Sequence, residues 1–161
     1  MDLWQFFVSN FDEVATLMRE HLWMVLVAIT IASVVGIPAG VLITRKPALE
    51  KGVLGFANVV QTIPSLALFG FLIPVPLVGG IGSSTAIVAL ILFALLPIIR
   101  STYAGIKGVD PSVREAGRGM GMTDLQLLWQ VELPLALGVI LAGIRVAAIT
   151  SVGIATIAAA I

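Results

Sequence analysis

Cysteine is absent and histidine occurs once, as His21. Disulfide frameworks, thiol chemistry and Cys/His metal clusters are thereby excluded. There is no histidine cluster, Ser/His pair or intramembrane carboxylate pair, so no catalytic residue and no metal ligand is assigned. Charge is scarce as well: 11% of the 161 residues are Asp, Glu, Lys or Arg, against about 25% in an ordinary soluble domain. With 59% hydrophobic residues and a mean hydropathy of +1.11, the chain is an integral membrane protein. Its opening, MDLWQFFVSN, starts with an acid and lacks a positive n-region, which argues against a cleaved signal peptide.

Charge-free intervals locate the spans, because a helix needs about 20 apolar residues to cross a hydrocarbon core of roughly 30 Å. Residues 22–44 fit one helix. The interval from Gly52 to Ile99 is about twice the required length and is interrupted by PVPLVGGIGSS, a Pro/Gly/Ser turn cluster. It reads as two helices, 54–73 and 84–103. A fourth covers 134–161, and the final ATIAAAI has no cap or flanking charge, so the full protein is expected to be longer.

The basic residues set the orientation. Arg45, Lys46 and Lys51 separate spans one and two; Arg100, Lys107, Arg114 and Arg118 lie at or between the ends of spans three and four. By the positive-inside rule both loops are cytoplasmic and the N-terminus is outside. Ahead of span one, Leu3, Phe7, Phe11, Val14 and Met18 recur every three or four residues. This pattern predicts an amphipathic helix over 1–20 in the outer interface, serving as an anchor or as a gating element.

The loop 104–133 is built rather than loose. Asp110-Pro111 supplies an N-cap and a first-turn proline, Gly119 and Gly121 stop the helix, and Thr123 with Gln126 has capping-box spacing. A second helix, DLQLLWQVEL, is expected to bring Leu125, Leu128 and Trp129 to one side. The glycines follow a helix and no Lys-Ser/Thr comes after them, which is not the order of a phosphate loop. A short amphipathic hairpin of this kind suits insertion into a groove on another protein.

The stretch resembles the EAA loop of binding-protein-dependent ABC transporter permeases. Glu115-Ala116-Gly117 is followed after three residues by Gly121, and after nine more by Val131-Glu132-Leu133-Pro134. The departures are glycine for alanine at 117 and valine for isoleucine at 131. QTIPSLALFGFLIP, LPIIRSTYAGIKGVDPSVREAGRGMGM and AGIRVAAITSVGIATIAAAI are similar to permeases of the glycine-betaine/carnitine/choline osmoprotectant class.

The resemblance implies an all-α membrane protein with the type I (MetI-like) importer fold, in a single transmembrane domain over 1–161. It further implies the cytoplasmic membrane of a prokaryotic cell. The expected partners are cytoplasmic ATP-binding subunits, a second permease subunit (identical or paralogous), an extracytoplasmic binding protein or fused domain, and membrane lipid; no nucleic acid is expected. ATP and Mg would belong to the ATPase, with no cofactor on this chain. Glu115, Ala116, Gly117, Arg118, Met120, Gly121 and Met122 are the expected docking residues, although Glu115 and Arg118 are also spaced to pair with each other.

For the pathway, Asn58, Gln61, Thr62 and Ser65 share one face of span two, with Phe69 continuing it and Pro64 placed to kink the helix. Interhelical hydrogen bonding is the plainer reading of those polar groups. Arg145 is the one charge inside span four, and either a structural or a functional role is open. Gly36/Gly40, Gly143/Ala147 and Ala155/Ala159 suit close helix packing. Trp23, Phe56, Phe69, Phe71 and Phe93 show no cluster that would cage a trimethylammonium group. The alternatives are a permease of the same mechanism for an amino acid or an ergothioneine-like betaine, and, more remotely, an ATPase-independent channel or secondary transporter.

Overall fold

A computed structural model describes residues 9–76, 80 and 82–158. Every regular element among them is helical. Helix α1, Phe11–Arg45, is one unbroken helix of 35 residues. The amphipathic segment and span one are thus not separate from Phe11 onward. The physical reason lies at their junction, where Arg19, Glu20, His21 and Leu22 include no glycine or proline to stop a helix. Residues 1–8, with Leu3 and Phe7, lie outside the described residues.

Span two departs most from expectation. In place of one helix over 54–73 there are two, α2 (Pro47–Thr62) and α3 (Ser65–Leu72), bent by 102°. Proline explains the break. Pro64 has no N–H to donate, and its ring forces the preceding Ile63 into an extended backbone, φ −73° and ψ 125°. Among the described residues three helices are long and apolar enough to cross a membrane, and the bent pair makes a fourth if it counts as one span.

Helix α4 (Ser83–Lys107) is the centre of the bundle, and its buried residues Ala89, Leu90, Ala94, Ile98 and Thr102 meet neighbours on several sides. Helix α1 runs parallel to it. Val25 and Ala28 pack with Leu90, Ala32 packs with Ala94 and Ile98, and Gly36 and Gly40 abut Ile98 and Thr102. Helix α7 (Leu133–Ala158) runs antiparallel on another side, with Gly105 meeting Ala136, Ser101 meeting Gly143, and Leu90 sharing a cluster with Ala155. The C-terminal ends of α1 and α4 and the start of α7 therefore share one side, where both basic loops lie.

Two small helices fill that side: α5 (Pro111–Gly119) and α6 (Asp124–Leu127). A π-helical turn, Leu128–Glu132, joins α6 to α7 without interruption. The second loop helix and span four are thus one continuous rod. Leu125 and Trp129 face outward from it, 66% and 65% exposed, while Leu127 is fully buried.

Small residues permit the close approach of α4 to its neighbours, which in lipid is driven by packing rather than by water. A Cβ added at Gly143 would sit 2.3 Å from Ser101 Cβ and 2.9 Å from the Pro97 carbonyl oxygen. Gly138, on the same helix, has nothing within 4 Å of that position. Gly143→Ala is expected to destabilise the bundle by about 1–3 kcal/mol through overpacking, read as a lower thermal midpoint of the purified protein. Gly138→Ala should leave the midpoint unchanged or raise it; an equal fall in both would contradict the packing account.

Candidate functional site: a buried ion-pair junction and a membrane cavity

The loop between α4 and α7 is fixed by its own backbone. The Asp110 side chain accepts a hydrogen bond from the Ser112 N–H at 2.8 Å and caps α5. Hydrogen bonding from the Ser112 side chain and then its backbone holds the Asp110 carboxyl below the usual carboxylate range. At the other end, Met122 N–H donates to the Gly117 carbonyl at 3.1 Å and Gly121 N–H to the Arg118 carbonyl at 2.9 Å. That pair of bonds is the Schellman motif, and it requires a left-handed residue at Gly121, where φ is +82°. Thr123 then starts α6 with a full capping box: its hydroxyl accepts from Gln126 N–H, and its own N–H donates to Gln126 Oε1 at 2.8 Å.

Glycine at 117 also has a local cause. A Cβ there would lie 2.7 Å from Leu127 Cδ1 and 3.2 Å from Met122 Sδ. Leu127 fills the space that an alanine methyl would need, so α5 and α6 close onto each other at this residue.

Glu132 ties the loop to the bundle. Its side chain is 0% exposed and holds two arginines from different elements. Arg45, in the last turn of α1, forms a bidentate pair with it: Nη2 donates to Oε2, and Nη1 donates to Oε1 at 3.4 Å. Arg114 of α5 places its Nε 3.2 Å from Oε1 and donates from Nη2 to the Ile106 carbonyl near the end of α4. One carboxylate thus links α1, α5 and the start of α7, and Arg114 adds α4. The charge balance is locally positive, two guanidiniums to one carboxylate.

The outer face of the hairpin is left open. Glu115, Ala116, Arg118, Met120 and Gly121 are exposed, Met120 by 77%. Gly117 and Met122, expected with them, turn inward and form the joint with Leu127. Arg118 lies 3.7 Å from Asp124, across the turn, rather than against Glu115. Both of those groups are well exposed, so this pair contributes little.

The second feature is a cavity of about 660 Å³ between the break in span two and helices α4 and α7. Gln61, Thr62 and Ser65 line it, with Phe93, Arg100 and Thr150 opposite. Gln61 Nε2 donates to the Phe93 carbonyl at 3.2 Å, and Arg100 Nη2 donates to Asn58 Oδ1 at 2.9 Å. Asn58 is half-buried and reaches the cavity through Arg100. Phe69 does not line it: at 3% exposure it packs with Val60, Leu68, Ala86, Ala89 and Phe93. The 102° bend is the reason, because the helical register that would align Phe69 with Ser65 and Gln61 does not survive it. Arg145 is exposed on α7, outside the cavity lining, and no hydrogen bond or ion pair to it occurs among the described residues.

Over residues 32–161 the chain matches the family described as Binding-protein-dependent transport system inner membrane component. The chain belongs to this family. Among relatives, the osmoprotectant import permease protein OsmW of Salmonella typhimurium is 46% identical over 163 residues, covering 100% of this chain and 76% of that one. The glycine betaine/carnitine/choline transport system permease protein OpuCB of Bacillus subtilis is 44% identical, over 95% of this chain and 69% of its own length. A solved structure of the MetNI methionine ABC transporter, in an inward-facing conformation, matches with a TM-score of 0.73 and 32% identity. That match covers 84% of this permease and 68% of the solved chain.

Glu132 was not singled out by its sequence context, since a lone acid in WQVELP reads as a boundary charge. The available signal was the surplus of arginines at both basic loops with only one acid close to the bilayer edge of α7. Glu132→Leu in this permease leaves two guanidiniums facing a buried, acid-free space. The expected loss is about 3–5 kcal/mol, measured as a fall in the thermal midpoint. Glu115→Leu, on the open face, should change stability by no more than about 0.5 kcal/mol. Equal effects of the two would remove the case for Glu132 as the anchor.

Proposed function

We propose that this chain is the membrane-spanning subunit of an ATP-driven importer of quaternary-ammonium osmoprotectants such as glycine betaine, carnitine and choline. The single observation that carries the mechanism is the geometry of the loop. An exposed apex, Glu115 to Gly121, sits on a hairpin whose inner side is tied by Glu132 to the ends of α1 and α4 and to the start of α7. Such a part can receive force at its tip and pass it to three spans. The substrate class rests on the similarity to the OsmW and OpuCB permeases.

On this reading ATP and Mg are bound by separate cytoplasmic subunits, and this chain contributes no catalytic group. Met120 and its neighbours enter a cleft of the ATPase. Closure of the ATPase dimer draws two such loops together, one from each of two permease subunits, identical or paralogous. The continuous rod from Asp124 through α7 carries that movement into the membrane. The basic loops lie in the cytoplasm and the N-terminus outside, in the cytoplasmic membrane of a prokaryotic cell. Among the lining residues of the cavity Phe93 is the one aromatic, and Trp23, Phe56 and Phe71 are 63–70% exposed elsewhere. One ring does not make a cage for a quaternary ammonium. Primary selection is therefore assigned to an extracytoplasmic binding protein or fused domain. The 32% identity to the methionine transporter keeps an amino-acid substrate as the second reading.

Met120→Asp puts a charge at the exposed apex without touching Glu132. It is expected to abolish co-purification with the ATPase subunit and to reduce solute uptake by more than about tenfold, since a charge desolvated at an apolar contact is costly. Normal uptake with the ATPase still bound would refute docking at this apex.

A further inference from the structure

Arg100 stands out within the cavity for what surrounds it. The lining includes Gln61, Thr62, Ser65, Ser101 and Thr150 but no carboxylate, and Arg100 is its single charged member. No ion pair to Arg100 occurs among the described residues. Among the described residues its hydrogen-bond partner is Asn58, which takes one of the five N–H donors of the guanidinium. The side chain is otherwise exposed to the cavity. It lies seven residues before the Lys107 end of α4, roughly 10 Å of helix at 1.5 Å per residue. At this end of the span, beside the basic loop, the guanidinium faces the cavity.

We propose that Arg100 is a binding residue for the carboxylate of a solute in transit, so that the cavity favours zwitterions over net cations. The inference rests on the reading of this chain as an osmoprotectant permease. A planar guanidinium offers paired donors that match a carboxylate. Asn58 holds the fork from one side and leaves the rest open. Ser65 and Thr62, on the opposite wall, supply neutral hydrogen-bonding groups, and Phe93 an apolar face beside them. The start of α3 lies in the same wall and adds a weak positive potential of the same sign. For a solute bearing both a trimethylammonium and a carboxylate, the carboxylate gains a charged partner while the cationic end meets no acid and stays solvated or against Phe93. A solute with the ammonium alone gains no charged partner there and is repelled by Arg100, so it is disfavoured relative to the zwitterion. Glycine betaine and carnitine belong to the first kind, choline to the second.

The test uses the full transporter, with its ATPase and binding protein, in proteoliposomes. Uptake of glycine betaine and of choline is measured for wild type, Arg100→Gln and Arg100→Lys, together with the rate of ATP hydrolysis in the absence of solute. Arg100→Gln is expected to lower glycine betaine uptake about tenfold, the loss of a charge-assisted hydrogen bond. Choline uptake should hold or rise, and the ATPase rate should not change. Arg100→Lys, which keeps the charge, should restore most of the glycine betaine uptake. Parallel loss of both solutes, a fallen ATPase rate, or unaltered glycine betaine uptake in Arg100→Gln would each overturn the inference and leave Arg100 as a bridge to Asn58. A wild type that accumulates neither solute would instead sink the substrate reading, and the inference with it.

Discussion

The buried carboxylate of Glu132 is the constraint on which the side of this protein that carries both basic loops depends. A carboxylate withdrawn from water and held by two guanidiniums is worth little as a source of net stability, since desolvation offsets most of the attraction. Its value is positional. Each arginine comes from a different helix, and neither can move far without leaving a buried charge unpaired. Arg45 fixes the end of α1, Arg114 fixes α5, and the bond from Arg114 to the Ile106 carbonyl brings in α4. The π turn at Leu128–Glu132 delivers the carboxylate to this point. An inserted residue in a helix is a local cost that tends to persist where a side chain must be re-aimed.

With the loop held this way, the contrasting element is span two, which is broken rather than continuous. Pro64 divides span two, and the cavity opens at that division. Non-helical backbone at membrane depth is tolerated where it lines a cavity, and here Ile63, Pro64 and Ser65 do so. The bundle thus separates a stiff part, α1, α4 and α7 packed through glycines and alanines, from a jointed part, α2 and α3. A transporter of the proposed kind needs both: a rod to receive motion and a hinged wall to change the shape of the path.

Much of this was legible in the sequence, for identifiable reasons. The hairpin was readable because each of its turns needs a specific residue: Asp110 as a cap, Gly121 for a positive φ, and Thr123 with Gln126 for a capping box. The order of the spans followed from where charge is missing. What escaped was three-dimensional. Pro64 announced a kink but not one of 102°, and Phe69 was carried into the path on a helical register that the bend cancels. Glu132 and Arg45 are 87 positions apart, and nothing local says that they meet. Gly117 was expected at the docking surface from its place in the EAA-like motif and Met122 as an apolar contact; the contact of Gly117 with Leu127 and Met122, beneath the exposed apex, depends on how α5 and α6 meet in space.

The central claim is that the hairpin and span four move as one body. Because the chain has no cysteine, spin labels can be placed at Val113→Cys on α5 and Val152→Cys on α7, both exposed positions outside the apex, without removing any native thiol. The measurement is the label–label distance within one chain of the assembled transporter, by pulsed electron paramagnetic resonance, with and without ATP under conditions that block hydrolysis. The account predicts an unchanged distance within the chain while the distance between the two hairpins of the transporter shortens. A shift of several ångströms between positions 113 and 152 of the same chain would contradict it.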